Sequence, residues 1–340
     1  MKTRIGIVGV TGYAGQELLK ILRGHPHALV SYLGSRRLRL PVESGLRGLK
    51  ILPFNPKEAT RRCDLLFLAL PHGEAMSIAP ALLKNTDLRI IDFSGDFRIR
   101  SVSVFRRAYG FAHTAVPWIA QACYGLPELN REEIHGRRLI ANPGCYPTAT
   151  LLALAPLAEK NLLLPGSVIV DAKSGVTGAG RSAKQDLMFC EVNEDLRAYK
   201  VDGHQHVPEM EQELGRLAGR SMPLIFVPHL APMDRGIYAT IYVSLRKKMR
   251  ETALRALYER RYKEEPFLRV LPKGVWPQVK SVAGTNRCDI GLHLDRTGKR
   301  AILLSAIDNL GKGAAGQAVQ NMNLLMGWPE TTALLPRSGS

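Results

Sequence analysis

Ile5-Gly6-Ile7-Val8-Gly9-Val10-Thr11-Gly12-Tyr13-Ala14-Gly15 decides the fold of the N-terminal half. A strand-like run, Ile5 to Val8, meets glycines spaced G-x-x-G-x-x-G, and a helix-like stretch through Glu17 to Leu22 follows. Glycines in such a turn let the backbone approach a pyrophosphate. The helix N-terminus behind them aims N–H groups and its dipole at the same place. Gly9, Thr11, Gly12, Tyr13, Ala14 and Gly15 are therefore expected to hold a dinucleotide. The competing reading is a glycine-rich strand-to-helix turn with no ligand.

Further along the chain, Ala28 to Leu33, Asp64 to Leu70, Leu88 to Phe93 and Leu139 to Ala141 also read as strands, with helix-like segments between them. Asp64 to Leu70 (DLLFLAL) is almost continuously apolar, as a parallel strand buried on both faces should be. Strands alternating with helices predict a parallel, doubly wound sheet with ligands at the carboxyl ends of its strands. The second strand runs into Leu33-Gly34-Ser35-Arg36-Arg37, a hydroxyl and two guanidiniums where an NAD site usually shows a carboxylate. That chemistry suits a 2′-phosphate and points to NADP; the alternative is that Arg36 and Arg37 are solvated surface charges. In the second half, Val168 to Lys173, Leu224 to His229, Gly236 to Leu245 and Ala301 to Ile307 read as longer strands, and Arg246 to Lys263 as a basic helix. An α+β domain with a larger antiparallel component is expected there.

A chain of 340 residues holds roughly two domains. Its 45% hydrophobic and 23% charged content, with mean hydropathy −0.07, is that of a globular protein rather than a disordered one. The longest near-apolar run, Ala149 to Ala158, is too short for a membrane span of ~20 residues. The N-terminus lacks a signal-peptide pattern. Five scattered cysteines without a Cys-x-x-Cys pair argue against a disulfide framework or zinc site and for a reducing compartment, so a cytoplasmic location is expected. The net charge of +17 favours anionic partners. The basic residues are spread along the chain, however, and only 6% of residues are aromatic, which argues against a stacking nucleic-acid binder.

Asn142-Pro143-Gly144-Cys145-Tyr146-Pro147-Thr148 places a thiol where a strand ends and a helix begins. Helix N–H groups and dipole stabilise a thiolate there, and a thiolate attacks acyl carbons. The competing reading is an inert buried cysteine, which fits Cys63, Cys190 and Cys288 well. His204-Gln205-His206, read as extended, puts two imidazoles on one side. They could form a metal pair with His229 or Glu209, be plain core or surface histidines, or supply an acid/base partner for Cys145 oriented by Glu209. Asp171 to Arg181 is a Gly/Ser/Thr loop bearing Lys173 and Arg181, either an anion cradle or a flexible loop. Asp308 to Gln317 is a small-residue loop feeding a helix, suited to close approach by a neighbouring element or cofactor.

In order along the chain stand GVTGYAGQEL at Gly9 to Leu18, LPHG at Leu70 to Gly73, DFSGDFR at Asp92 to Arg98 and NPGCYPTA at Asn142 to Ala149. KSGVTGAGR at Lys173 to Arg181, HQHVPE at His204 to Glu209, PHLAPMDRGI at Pro228 to Ile237 and DNLGKGAAGQAVQNMN at Asp308 to Asn323 follow. Over nearly its whole length the chain resembles the N-acetyl-gamma-glutamyl-phosphate reductases of the semialdehyde dehydrogenase superfamily. The departures are Gln205, where the family more often has Arg, and Gly311, where it more often has an aliphatic residue. The resemblance implies a Rossmann-type dinucleotide-binding domain (1–146 and 311–340) plus an α+β catalytic and oligomerising domain (147–310) with a mixed, largely antiparallel sheet. It implies NADPH-dependent reduction of a small acyl phosphate through a Cys145 thioester, without a metal. His204 is then the proton shuttle. Arg98, Asn142, Ser174, Gly175, Arg181, His206 and Glu209 face substrate, while Leu70, Pro71, His72 and Asn309 join the cofactor set. A homodimer or homotetramer is implied, with neither nucleic acid nor membrane as partner. A related route, in which an acidic carrier protein presents the acyl group, draws some support from the positive charge.

Overall fold

The computed structural model describes residues 2–36, 50–84 and 86–335. They form two units, one running to Pro143 and resuming at Ala314, the other Gly144–Gly313. The first unit contains β1 (Thr3–Val8), β2 (Ala28–Ser35), β3 (Leu52–Pro53), β4 (Leu65–Leu68), β5 (Arg89–Asp92), β6 (Ala122–Tyr124) and β7 (Leu139–Ala141). They make one sheet in the order β3-β2-β1-β4-β5-β7-β6, parallel at every pairing. Leu65 and Phe67 enter one core with Ile5, Ile7 and Leu18, while Leu66 and Leu68 enter another with Val8, Ala79 and Phe105. Burial on both faces is why β4 reads as an unbroken apolar run. β3 and β6 have two and three residues and carry too little pattern to be read.

The strand order reverses between β1 and β4, the switch point at which a doubly wound sheet takes its ligand. Gly9 leaves β1 with φ +92°, and a Cβ there would lie 2.1 Å from the Ala69 carbonyl oxygen just past β4. Only glycine satisfies both the angle and the space. The helix Gly316–Leu325 returns to this unit, where Ala318, Val319 and Met322 complete the core around Ile5, Ile7 and Leu18.

The second unit contains β8 (Val168–Ser174), β9 (Arg197–Ala198), β10 (Leu224–Leu230), β11 (Ile237–Ser244), β12 (Leu268–Val270), β13 (Cys288–Leu294) and β14 (Arg300–Ile307). The order is β12-β13-β14-β11-β8-β10-β9, with parallel pairing at β12–β13 and β8–β10 and antiparallel pairing elsewhere, a mixed and largely antiparallel sheet as expected. β13 lies outside the strands expected from sequence. Gly291 interrupts its pattern, and a Cβ there would meet Pro277 at 2.8 Å, so the glycine marks a close approach rather than a turn.

The helix Cys145–Glu159 packs on β11 and β14, and every residue from Tyr146 to Ala158 is buried. Pro147 sits in the first turn, where its missing N–H costs nothing. Pro156 lies in the interior and leaves the Leu152 carbonyl without its usual i+4 donor. The buried Tyr262 hydroxyl donates to that carbonyl, and Tyr258 donates to Ala153 O at 2.6 Å. Both tyrosines lie on the helix Glu251–Tyr262, which is shorter than the basic stretch read from sequence. Among the described residues no helix is long and apolar enough to cross a membrane.

Candidate active site

Cys145 is the first residue of its helix, half-buried, with Gly144 as N-cap in an extended conformation. No acidic residue of the helix itself occupies its first turn, where the N-terminal N–H groups and dipole act on the thiol. Cys63, Cys123 and Cys288 are buried, and burial pushes the Cys63 thiol up to about 11. Cys190 is exposed, contrary to the buried reading, because its short helix Phe189–Val192 buries only Val192.

The two imidazoles do not lie on an extended segment. The helix His206–Ala218 starts at the second of them. The turn still brings the rings together, 4.7 Å between centroids, and His204 Nδ1 accepts the His206 N–H at 3.1 Å. His206 is the ring against the nucleophile's turn: a Cβ on Gly144 would lie 2.5 Å from His206 Nε2 and under 3 Å from its Cδ2 and Cε1. His204 packs among Tyr146, Tyr199 and Phe226 at 5.8, 5.9 and 5.3 Å. The fully buried Glu209 accepts the Gly144 N–H at Oε1, 2.8 Å, and so fixes the residue preceding Cys145. The Tyr199 hydroxyl donates to Tyr146 at 3.1 Å; burial raises both phenols, Tyr199 to about 12. His229 instead pairs with Asp171 at 3.1 Å, and among the described residues no group of His, Cys, Asp and Glu side chains could hold a metal.

The loop after β8 is ordered by the segment before β11. Gly175 N–H donates to Gly236 O at 2.9 Å, and both the N–H and Oγ1 of Thr177 donate to Asp234 O. A Cβ on Gly175 would meet Arg235 backbone at 2.7 Å, so this glycine serves a backbone crossing. Ser174 is buried at the loop's start, and Arg181 is exposed at its end. Asn309 is held within this second unit: its Oδ1 accepts Gly236 N–H at 2.6 Å and its Nδ2 donates to Thr177 Oγ1 at 3.0 Å. Those bonds make it a brace for the loop.

In the first unit, the helix Tyr13–Arg23 opens behind Gly12 without a side-chain cap, and its first ladder bond is Gln16 N–H to Gly12 O. The amides of Tyr13, Ala14 and Gly15 precede that ladder. A Cβ on Gly15 would strike Gly9 O at 2.4 Å, but one on Gly12 would meet nothing closer than 3.5 Å. Gly12 therefore leaves a cradle that the protein itself does not fill, which fits a pyrophosphate. Ser35 is buried at the end of β2, and Arg36 is exposed and paired with Glu74 at 3.2 Å; Arg37 lies outside the described residues. Past β4 come Leu70, Pro71 and His72, whose Nδ1 accepts Gly95 N–H at 2.8 Å. Arg98 is buried and donates to the Asn142 and Phe93 carbonyls at 2.7 and 2.6 Å. The Asn142 amide donates to Ala314 O and accepts from Asn321. Both are thus fastened into the turn that leads to the nucleophile.

Comparison with known proteins gives the family. Residues 4–137 match the family pattern described as semialdehyde dehydrogenase, NAD binding domain, and residues 145–309 match semialdehyde dehydrogenase, dimerisation domain. An N-acetyl-gamma-glutamyl-phosphate reductase of Desulforudis audaxviator is 48% identical over 98% of both chains, and one of Pelotomaculum thermopropionicum is 47% identical over the same shares. The chain belongs to the N-acetyl-gamma-glutamyl-phosphate reductases. Among solved structures, aspartate semialdehyde dehydrogenase II of Vibrio cholerae complexed with ASA has TM-score 0.72 at 18% identity, covering 96% of this chain and 99% of that one. The Candida albicans enzyme with NADP has TM-score 0.68 at 14% identity, covering 96% and 99%. These likenesses bear on the fold.

For this reductase, sequence reasoning missed the roles of Gly144 and Gly313. A Cβ on Gly313 would lie 2.9 Å from Cys145 Cβ. Both glycines stand in plain view within the motifs, but only the packing shows what each one touches.

Proposed function

We propose that the chain reduces N-acetyl-L-glutamyl 5-phosphate to N-acetyl-L-glutamate 5-semialdehyde with release of phosphate, in L-arginine biosynthesis, using NADPH. The observation that carries this reading is the half-buried Cys145 at a helix N-terminus with the His206 ring against the preceding residue. The thiol proton passes to the imidazole, and Cys145 Sγ attacks the acyl carbon as phosphate leaves, giving a thioester. The hydride that reduces this thioester would come from NADPH held at the Gly9–Gly15 turn. Backbone N–H groups at the start of the helix stabilise the oxyanion, and collapse to aldehyde returns the thiolate. Sequence favoured His204 as the shuttle; contact with Gly144 supports His206, with His204 orienting it through the Nδ1 contact to the His206 N–H. The Gly9–Gly15 turn would hold the pyrophosphate, and Ser35 with Arg36 the 2′-phosphate.

The enzyme works as a homo-oligomer. On the solvent-facing side of the second sheet, Ile225, Ile169 and Tyr242 stand in register across three strands at 57%, 39% and 44% exposure. Such an apolar row suits a second copy of the chain. A cytoplasmic setting agrees with the free thiols.

The deciding assay follows NADP reduction with N-acetyl-glutamate semialdehyde plus phosphate, beside aspartate semialdehyde and a carrier-bound substrate. Phosphate-dependent turnover of the N-acetyl substrate alone is expected. Preference for either competitor would reject the substrate assignment.

A further inference from the structure

The turn after β14 approaches the nucleophile from a side that the mechanism above has not used. Residues Gly311–Ala315 form a single π-helical turn, a geometry frequent at functional sites. It is anchored from several directions. The fully buried Asp308 accepts Leu310 N–H at 2.9 Å and Gly311 N–H at 3.2 Å through Oδ1. Its Oδ2 accepts Gly284 N–H and pairs with Arg235 Nε at 2.8 Å. Its carbonyl accepts Gly313 N–H at 2.8 Å. A Cβ on Gly311 would stand 2.2 Å from Thr285 O, and the fully buried Lys312 puts its ammonium 5.5 Å from the Phe267 ring centre.

This anchored turn presents Gly313 to the nucleophile. A Cβ on Gly313 would sit 2.9 Å from Cys145 Cβ and 3.4 Å from its Cα. The φ of Gly313 is not in the left-handed region, so space and not backbone angle demands glycine here. Cys145 Cβ cannot swing away as a side-chain tip could, because it is fixed to the first residue of a buried helix. We infer that Gly313 is a positioning residue for the nucleophile: its bare Cα is the backstop that sets where the Cys145 thiol points. The inference rests on Cys145 being the nucleophile.

The test is Gly313→Ala, with Cys190→Ser as the background for thiol chemistry because Cys190 is exposed. A displacement of about an ångström at a reacting atom lowers rate by about 10²-fold. The variant should lose about that factor in kcat, keep KM for the acyl phosphate and affinity for NADPH within about two-fold, and shift the pH profile of Cys145 alkylation by iodoacetamide. Asp308→Asn, which loosens the anchor without adding bulk, should shift the same profile and keeps the test decisive should the alanine variant not fold. Unchanged kcat and alkylation in a folded variant overturn the backstop. Turnover in Cys145→Ser overturns the nucleophile reading instead, so the two failures are separable.

Discussion

Tyr262→Phe should destabilise the second unit through one carbonyl. Pro156 cannot donate to Leu152 O, and the Tyr262 hydroxyl supplies that bond in a fully buried helix. Phenylalanine keeps the ring packing and removes the donor, leaving a buried acceptor unsatisfied at a cost of ~1–3 kcal/mol. For a unit the size of Gly144–Gly313, each kcal/mol moves the midpoint by ~2–4 °C, so calorimetry should show a fall of roughly 2–12 °C. Leu152 lies seven residues along the helix from Cys145, about 10 Å, so kcat should stay within about two-fold. Pro156→Ala restores an N–H at i+4 from Leu152. Its effect on stability should therefore be more favourable by about 1 kcal/mol when combined with Tyr262→Phe than when made alone. Strict additivity of the two substitutions would refute the reasoning.

His206→Asn should lower kcat by ~10²–10⁴-fold and remove the acidic limb of the pH–rate profile, while His204→Asn should have the smaller effect; the reverse pattern in steady-state kinetics would return the shuttle to His204. Arg36→Glu should cost ~10- to 100-fold in NADPH affinity with little change for NADH, measured by fluorescence titration, and equal losses for both would place Arg36 off the 2′-phosphate. Asp92 is pushed up to about 7, by burial first and the Asp96 charge second. The folded chain then keeps that proton from pH ~4 to ~7 while the unfolded chain has released it, so this contribution is full below pH ~4 and lost as pH rises to ~7. Asp92→Asn removes the dependence, so its Tm relative to the parent should rise between about pH 4.5 and 8; a flat difference would count against the shift.

What the sequence displayed well depends on short-range rules. A glycine turn between strand and helix, a cysteine in a Pro-Gly turn and an apolar run over a doubly covered strand all carry their physics within a few residues. The order of His204 and His206 does not, because it turns on where a helix starts and on which ring meets Gly144 across the unit. Asn309 and Arg98 read as ligand contacts from their motifs; that they also bond to a neighbouring loop and to backbone is a matter of packing that no motif announces. Cys190 read as buried because cysteines usually are, and a four-residue helix left it outside. β13 hid behind Gly291, whose cause is the packing of Pro277 against it, a contact that no local pattern announces.

The return of the helix Gly316–Leu325 to the first unit also dictates a history for each molecule as it is made. On the ribosome the parallel sheet emerges first but lacks Ala318, Val319 and Met322, so the face on which Leu18, Leu19 and Leu22 pack waits for the rest of its cover. The intervening segment Gly144–Gly313 is contiguous and can close its own core before the final helix appears. The inserted unit can therefore complete its core before the outer one does. A nascent chain stalled short of Gly316 carries an open apolar face around Ile5, Ile7 and Leu18, the surface a chaperone would have to shield.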